Sequence, residues 1–166
     1  MPAEQTLERL MREYGDSVFR MCFLYLKDYQ LAEDATQETF IKAMKSYDSF
    51  SHNSKEKTWL IRIAINTCKN IMRTRWFRFP MLSIEEHQYS NICDSSEDVI
   101  EKETISKAIM SLNKSDRELV ILYYYQELSV KEISSIMGKK ENAINQQLRR
   151  VRERLKEYFG REQHER

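Results

Sequence analysis

The chain has 166 residues, enough for one ordinary domain or for two small ones sharing a linker. Three Gly and two Pro against 32% charged residues leave out the turn punctuation of a many-stranded sheet protein, so the composition predicts an all-α protein. The net charge of +1 conceals an uneven distribution, with +3 over residues 1–79, −6 over 80–104 and +4 over 105–166, and two basic modules around an acidic connector point towards nucleic acid.

Taken in chain order, apolar residues recur at helical spacing from Leu7 to Leu26 through Leu10, Met11, Tyr14, Val18, Met21, Cys22 and Tyr25, which predicts one amphipathic helix. A second helix is expected from about Leu31 to Tyr47, with Ala32, Ala35, Thr39, Ala43 and Tyr47 towards a core and Glu33, Asp34, Gln37, Glu38 and Lys45 outside. Residues 47–54 have turn composition. Trp59, Leu60, Ile63, Ala64, Thr67, Cys68, Ile71 and Met72 then mark a third helix ending near Arg75, and three helices of this length can bury one core. From Pro80 to about Ser96 the chain is polar, acidic and without sustained periodicity, the pattern of a linker. Beyond it helices are expected at about Glu97–Leu112, Ser115–Gln126, Ser129–Met137 and Lys140–Phe159. Ser115 with Glu118 and Ser129 with Glu132 have the spacing of capping boxes.

The segment from Ser129 to Phe159 carries a mechanism. A short helix, a single Gly138 and a long basic helix form the pattern of a helix-turn-helix: Ser134 is small enough for close approach, Gly138 permits a left-handed turn, and Ile133, Ile136, Ile144 and Leu148 close the inner faces. Its second helix would enter a major groove. Lys139, Lys140, Arg149, Arg150, Arg152, Arg154 and Lys156 stand there against Glu141 and Glu153, and Asn142, Asn145, Gln146 and Gln147 supply amides suited to base edges. A four-helix bundle with a charged outer helix is the plainer alternative, since basic helix ends are common. A further basic run, Arg62, Lys69, Arg73, Arg75 and Arg78, has no acidic residue between Arg62 and Phe79 and is interleaved with Trp59, Trp76, Phe77 and Phe79. Cations can follow a phosphate backbone while aromatic faces stack on unpaired bases. Taken alone, Trp59 on its apolar face reads more readily as core.

No stretch reaches the roughly 18 apolar residues of a membrane span, and Met1-Pro2-Ala3-Glu4-Gln5 does not open as a secretion signal, so a cytoplasmic location is expected. Cys22, Cys68 and Cys93 match no metal-ligand spacing with His52, His87 or His164 and read as inert thiols. With no phosphate-cradling glycine loop and no framed nucleophile, neither a cofactor nor an enzymatic activity is expected.

Two segments together resemble the sigma-70 family of RNA polymerase sigma factors, in its extracytoplasmic-function group. Residues Leu31 to Ala43, reading LAEDATQETFIKA, are similar to region 2.2 of that family, and Thr58 to Asn66, reading TWLIRIAIN, to the helix that follows. Leu128 to Gly138, with Leu148-Arg149-Arg150-Val151-Arg152, is similar to region 4. The resemblance implies two small helical domains, region 2 over 1–79 and region 4 over 97–166, joined by the acidic linker 80–96. It implies docking on the clamp of the beta-prime subunit of core RNA polymerase through Asp34, Gln37, Glu38 and Ile41. The loop from about Asp48 to Lys57, with His52, Asn53 and Lys57, and the helix bearing Trp59, Arg62, Asn66, Lys69, Asn70 and Arg73 would then capture and melt the minus-ten element. Lys139, Lys140, Asn142, Asn145, Gln146, Gln147, Arg149, Arg150 and Arg152 would read the minus-thirty-five element. The other partners implied are the beta subunit, promoter DNA and an anti-sigma protein, often membrane-anchored, while polymerisation belongs to the core enzyme. The chain departs from the family after Gly138, where Lys139 and the run Asn142 to Leu148 replace an apolar residue and a Gly-Thr-Val-Lys-Ser-Arg-Leu-like stretch, so the promoter sequence does not carry over. A helix-turn-helix regulator acting on duplex DNA without polymerase is the competing reading. It leaves the acidic helix at Asp34 to Glu38 and the aromatic-basic run without a role.

Overall fold

The computed structural model describes residues 2–78 and 97–164, without the side chains of 75–78, 97–103 and 162–163. The expected linker 80–96 lies outside the described residues, as do Phe79, His87 and Cys93; so do the side chains of Arg75, Trp76, Phe77 and Arg78. All regular elements among the described residues are helical, and the chain divides into two compact units, Met1–Tyr89 and Ser90–Arg166.

In the first unit, α1 spans Ala3–Leu26 and α2 Tyr29–Ser46. The sharp corner between them comes from two local devices. Lys27 takes a left-handed φ of 59° and donates its N–H to the Phe23 carbonyl at 2.8 Å, and Asp28 caps α2 by accepting from the Leu31 N–H at 2.9 Å. Ala32, Ala35, Thr39 and Ala43 are fully buried, as the periodicity predicts, and the Thr39 hydroxyl is satisfied by the Ala35 carbonyl at 2.6 Å. Small side chains let α2 lie close against α1 and α3, which runs Glu56–Arg78. Leu10, Val18, Met21, Leu26, Leu60, Ile61 and Ile65 fill the space between the three, each contributing about 1.5–3 kcal/mol by its burial. Tyr47 departs from the expectation: α2 stops before it, and it opens a 3-10 turn, Tyr47–Ser49, where it is half-buried. Phe40 and Phe50 supply buried aromatic rings that the alternation of apolar residues does not mark.

In the second unit, α4 spans Glu97–Ser111, α5 Lys114–Val120, α6 Val130–Met137 and α7 Glu141–His164. The expected capping box at Ser115 is not formed. Asn113 is the cap, accepting from the Asp116 N–H at 2.9 Å, because the Ser115 hydroxyl is turned to tertiary partners instead. The expected helix to Gln126 also changes character after Val120. Ile121–Tyr125 is a π-helical turn, with the Gln126 N–H reaching the Ile121 carbonyl at 3.0 Å. The wider turn keeps Ile121 and Leu122 in the core, leaves Tyr123 half-buried and turns Tyr124 and Tyr125 to the surface. The Ser129 and Glu132 capping box is complete, and Gly138 ends α6 at φ 67°. Ile133, Ile144, Leu148 and Val151 are buried between α6, α7 and the rest of the unit, while Ile136 is only half-buried.

Candidate functional site

On α2 the residues left over after core packing form one outward stripe. Asp34, Gln37, Glu38 and Ile41 are all exposed, and Ile41, at 47% exposure, is an apolar side chain the unit does not use. Glu38 pairs with Lys42 at 2.9 Å on the same face, an exposed pair worth little to stability and easily exchanged for another partner.

The turn Tyr47–Ser49 and the loop up to Glu56 carry His52 and Asn53, both exposed, with His52 at a left-handed φ of 56°. Beneath them is an aromatic stack: the His52 ring lies 4.5 Å from Phe50, Phe50 lies 4.8 Å from Trp59, and Trp59 meets Tyr47 edge-on at 5.8 Å. Trp59 is therefore half-buried, holding the loop with one side of its ring. From it, α3 presents Arg62, Asn66, Asn70 and Arg73 to solvent with Lys69 half-buried, a spacing of three and four that lies along one helix face. Lys57 is half-buried at the start of the same helix, and Arg73 donates to Asn70 at 2.6 Å. At the foot of the loop, Glu56 accepts both terminal nitrogens of Arg9 at 2.8 Å and the Tyr47 hydroxyl at 2.8 Å. Hydrogen bonding from Arg9, aided by Tyr47, holds the Glu56 carboxyl below the usual glutamate range, and its bond to Glu56 pushes the Tyr47 phenol up.

In the second unit the helix α7 is braced on both flanks. Gln147 is buried, its amide donating to Ser115 at 3.0 Å and to Asp116 at 2.8 Å, and its carbonyl accepts from Lys139 at 3.0 Å. Lys139 also reaches Ser115 at 3.0 Å, and Arg154 pairs with the other oxygen of Asp116. On the opposite flank Arg152 donates to the Tyr124 hydroxyl at 2.8 Å and lies 5.7 Å from the centre of the Tyr123 ring. The Tyr124 bond raises the Arg152 pKa above the ordinary arginine value. Of the residues expected to meet DNA, Gln147 is buried with its amide turned into the unit, whereas Lys139 is exposed and directs its ammonium to Ser115 and Gln147 while the Ser134 hydroxyl donates to the Lys139 carbonyl. Lys140, Asn142, Asn145, Gln146, Arg149 and Arg150, also among the expected DNA contacts, are all exposed, and the exposed Arg152 is held by Tyr124.

These two units correspond to known sequence families. Residues 10–78 match Sigma-70 region 2 and residues 102–155 match Sigma-70, region 4. Over 158 residues the chain is 32% identical to the ECF RNA polymerase sigma factor SigM of Bacillus subtilis (strain 168), covering 94% of this chain and 96% of that protein. The chain belongs to the sigma-70 family, in its extracytoplasmic-function group. It is also 30% identical over 161 residues to the RNA polymerase sigma factor YlaC of the same organism, with 94% and 93% coverage. The fold of this sigma factor is shared with the sigma factor RpoE of Bartonella quintana, solved in complex with the anti-sigma factor NepR, at a TM-score of 0.81 and 24% identity over 94% of this chain and 98% of that one.

Several residues that shape the sigma factor's surfaces carry no sequence signal of their own. Arg9 and Glu56 are 47 positions apart and meet only through packing of α1 on α3. Gln147 was legible in principle, because it lies three positions after Ile144 and four before Val151 on the buried face. Among the described residues no helix is long and apolar enough to cross a membrane, and no cluster of His, Cys, Asp and Glu could hold a metal ion. Cys22 and Cys68 are buried in the first core.

Proposed function

We propose that this alternative sigma factor docks on core RNA polymerase through the α2 stripe of Asp34, Gln37, Glu38 and Ile41. In this reading the loop bearing His52 and Asn53, with the α3 face of Trp59, Arg62, Asn66, Lys69, Asn70 and Arg73, takes the opened minus-ten strand, with Lys57 at the helix entry. Lys140, Asn142, Asn145, Gln146, Arg149 and Arg150 meet the minus-thirty-five duplex, with Arg152 on a flanking phosphate. The observation that carries the reading is the pair of outward polar and basic stripes, one on α3 and one on α7, within the segments that match regions 2 and 4. Single-strand contact suits the first, where the Trp59 ring and its Phe50 and His52 neighbours adjoin a row of cations and amides, and duplex contact the second, where amides and guanidinium groups line one helix face. The polymerase supplies the bond chemistry and the sigma factor the address. The two units act as region 2 over 1–79 and region 4 over 97–166, connected by 80–96. An anti-sigma factor is the expected regulator, holding the protein in the cytoplasm or at the membrane, by extension from the NepR complex of the Bartonella quintana protein.

Run-off transcription with purified core enzyme on a genomic fragment library tests this reading directly. Discrete transcripts that depend on the added protein are expected. Absence of such transcripts, together with failure to co-purify with core polymerase, would return the chain to the reading of a duplex-binding regulator.

A further inference from the structure

We propose that Arg9, Tyr47 and Glu56 form a clasp that closes the base of the 48–55 loop and so positions His52 and Asn53 for an unpaired base, an inference that rests on the minus-ten reading above. The packing of the loop is confined to the rings of Phe50 and His52 over Trp59. Residues Ser51 to Lys55 are all exposed, and only Phe50 is buried, so the loop's shape depends on that ring stack and on its ends. Those ends are Tyr47 and Glu56, and their side chains meet at 2.8 Å, the hydroxyl donating to Oε2.

A third helix element braces this closure. Arg9 on α1 grips both carboxylate oxygens of Glu56 at 2.8 Å and reaches the Tyr47 hydroxyl at 3.2 Å, while Glu13 also accepts from the guanidinium at 3.3 Å. Tyr14 adds a longer contact to Oε1 at 3.5 Å. A two-pronged guanidinium–carboxylate pair fixes orientation as well as distance, which a lysine would not do. From the clasp, contact passes without a break to the loop tip: Tyr47 supports Trp59 edge-on, Trp59 lies under Phe50, and Phe50 lies under the His52 ring. At that tip His52 is in left-handed backbone, sparsely populated for a residue with a side chain and maintained only where the surroundings determine it. The clasp has an electrostatic consequence too. Glu56 is the carboxylate at the entrance to the α3 cations, and Arg9 cancels its charge where a phosphate strand would approach.

Arg9, Tyr47 and Glu56 are thus positioning residues, acting on the base through His52 and Asn53. Once run-off transcription has returned a promoter, two probes are made from it: a fully duplex upstream fragment, and a fork whose minus-ten strand is unpaired. Holoenzyme containing Tyr47→Phe, which keeps the ring, or Glu56→Gln is titrated against both. Each variant is expected to bind the fork about threefold to tenfold more weakly, the loss of one or two hydrogen bonds, and the duplex as the parent does. The exchanged pair Arg9→Glu with Glu56→Arg should recover part of the fork affinity, which neither single exchange does. Equal losses on both probes would reduce the clasp to a fold-stabilising contact, and unchanged fork binding would remove it altogether. The parallel variant His52→Ala with Asn53→Ala separates the two levels: if it leaves fork binding intact, the base-capture reading fails; if it weakens the fork while the clasp variants do not, only the clasp fails.

Discussion

An alanine at Gly138 would place its Cβ in open space, with nothing within 4 Å, so the whole cost of Gly138→Ala comes from the left-handed backbone at φ 67°. That cost is about 1–2 kcal/mol. It should lower the helical circular dichroism melting temperature of the second unit and leave tryptophan fluorescence unmoved, because both tryptophans, Trp59 and Trp76, belong to the first unit. The complementary probe of the first unit is acid. Glu56 has a folded-state pKa depressed chiefly by its bonds from Arg9, opposed by burial and assisted by the Tyr47 and Tyr14 hydroxyls, with Glu13 the remaining charge on Arg9. Its contribution is therefore complete above the unfolded value of about 4.3 and is lost as pH falls from there through the folded value. Tryptophan-detected unfolding should show Glu56→Gln less stable than the parent at neutral pH and less sensitive to acid in that window. Equal acid slopes for the two proteins would mean that Glu56 is not the titrating group.

At the scale of single elements, the α2 stripe makes the sharpest prediction. Replacing Gln37 and Glu38 with Ala removes one exposed ion pair, worth less than about 1 kcal/mol, so the helical signal should barely change while binding to core polymerase weakens. A loss of helical signal would make the two residues part of the fold rather than of a docking face. Element boundaries were legible where the signal is local. The Ser129 capping box and the left-handed Gly138 form as their residue types dictate, and the alanine spacing of α2 marks its buried side. The Ser115 pattern has the same spacing but fails, because Asn113 can cap the helix and the Ser115 hydroxyl is drawn to Lys139 and Gln147. The same tertiary competition takes Gln147 away from the outward amides: Gln146 and Gln147 are identical in type and differ only in the face they occupy. The π-helical turn has no local marker either, since it is set by the need to keep Ile121 and Leu122 inside while the chain turns towards Leu128.

Across the whole molecule, the two basic stripes should be separable in function. Neutralising Arg149 and Arg150 should weaken binding to upstream duplex DNA and flatten its dependence on salt by up to about one slope unit for each phosphate that is no longer paired with a cation. Replacing His52 and Asn53 with Ala should leave that binding nearly intact and reduce opening of the start-site region, since a captured base offsets an unstacking cost of a few kcal/mol. Filter binding across a salt series, beside permanganate reactivity of the start-site thymines, reads both effects. Proportional loss of binding and opening in both variants would favour one composite DNA surface.

On the proposed reading of the minus-thirty-five element by α7, the bracing of that helix also limits how this protein could be given a new promoter. Gln147, Lys139, Arg152 and Arg154 tie the helix to Ser115, Asp116 and Tyr124, so they form the socket in which the reader is mounted. Transplanting an entire reader helix from a relative would discard that mounting together with the old address. Exchanging only Asn142, Asn145, Gln146 and Arg149 would change the address and keep the mounting, which makes those four positions the place where a library for altered promoter choice should be confined.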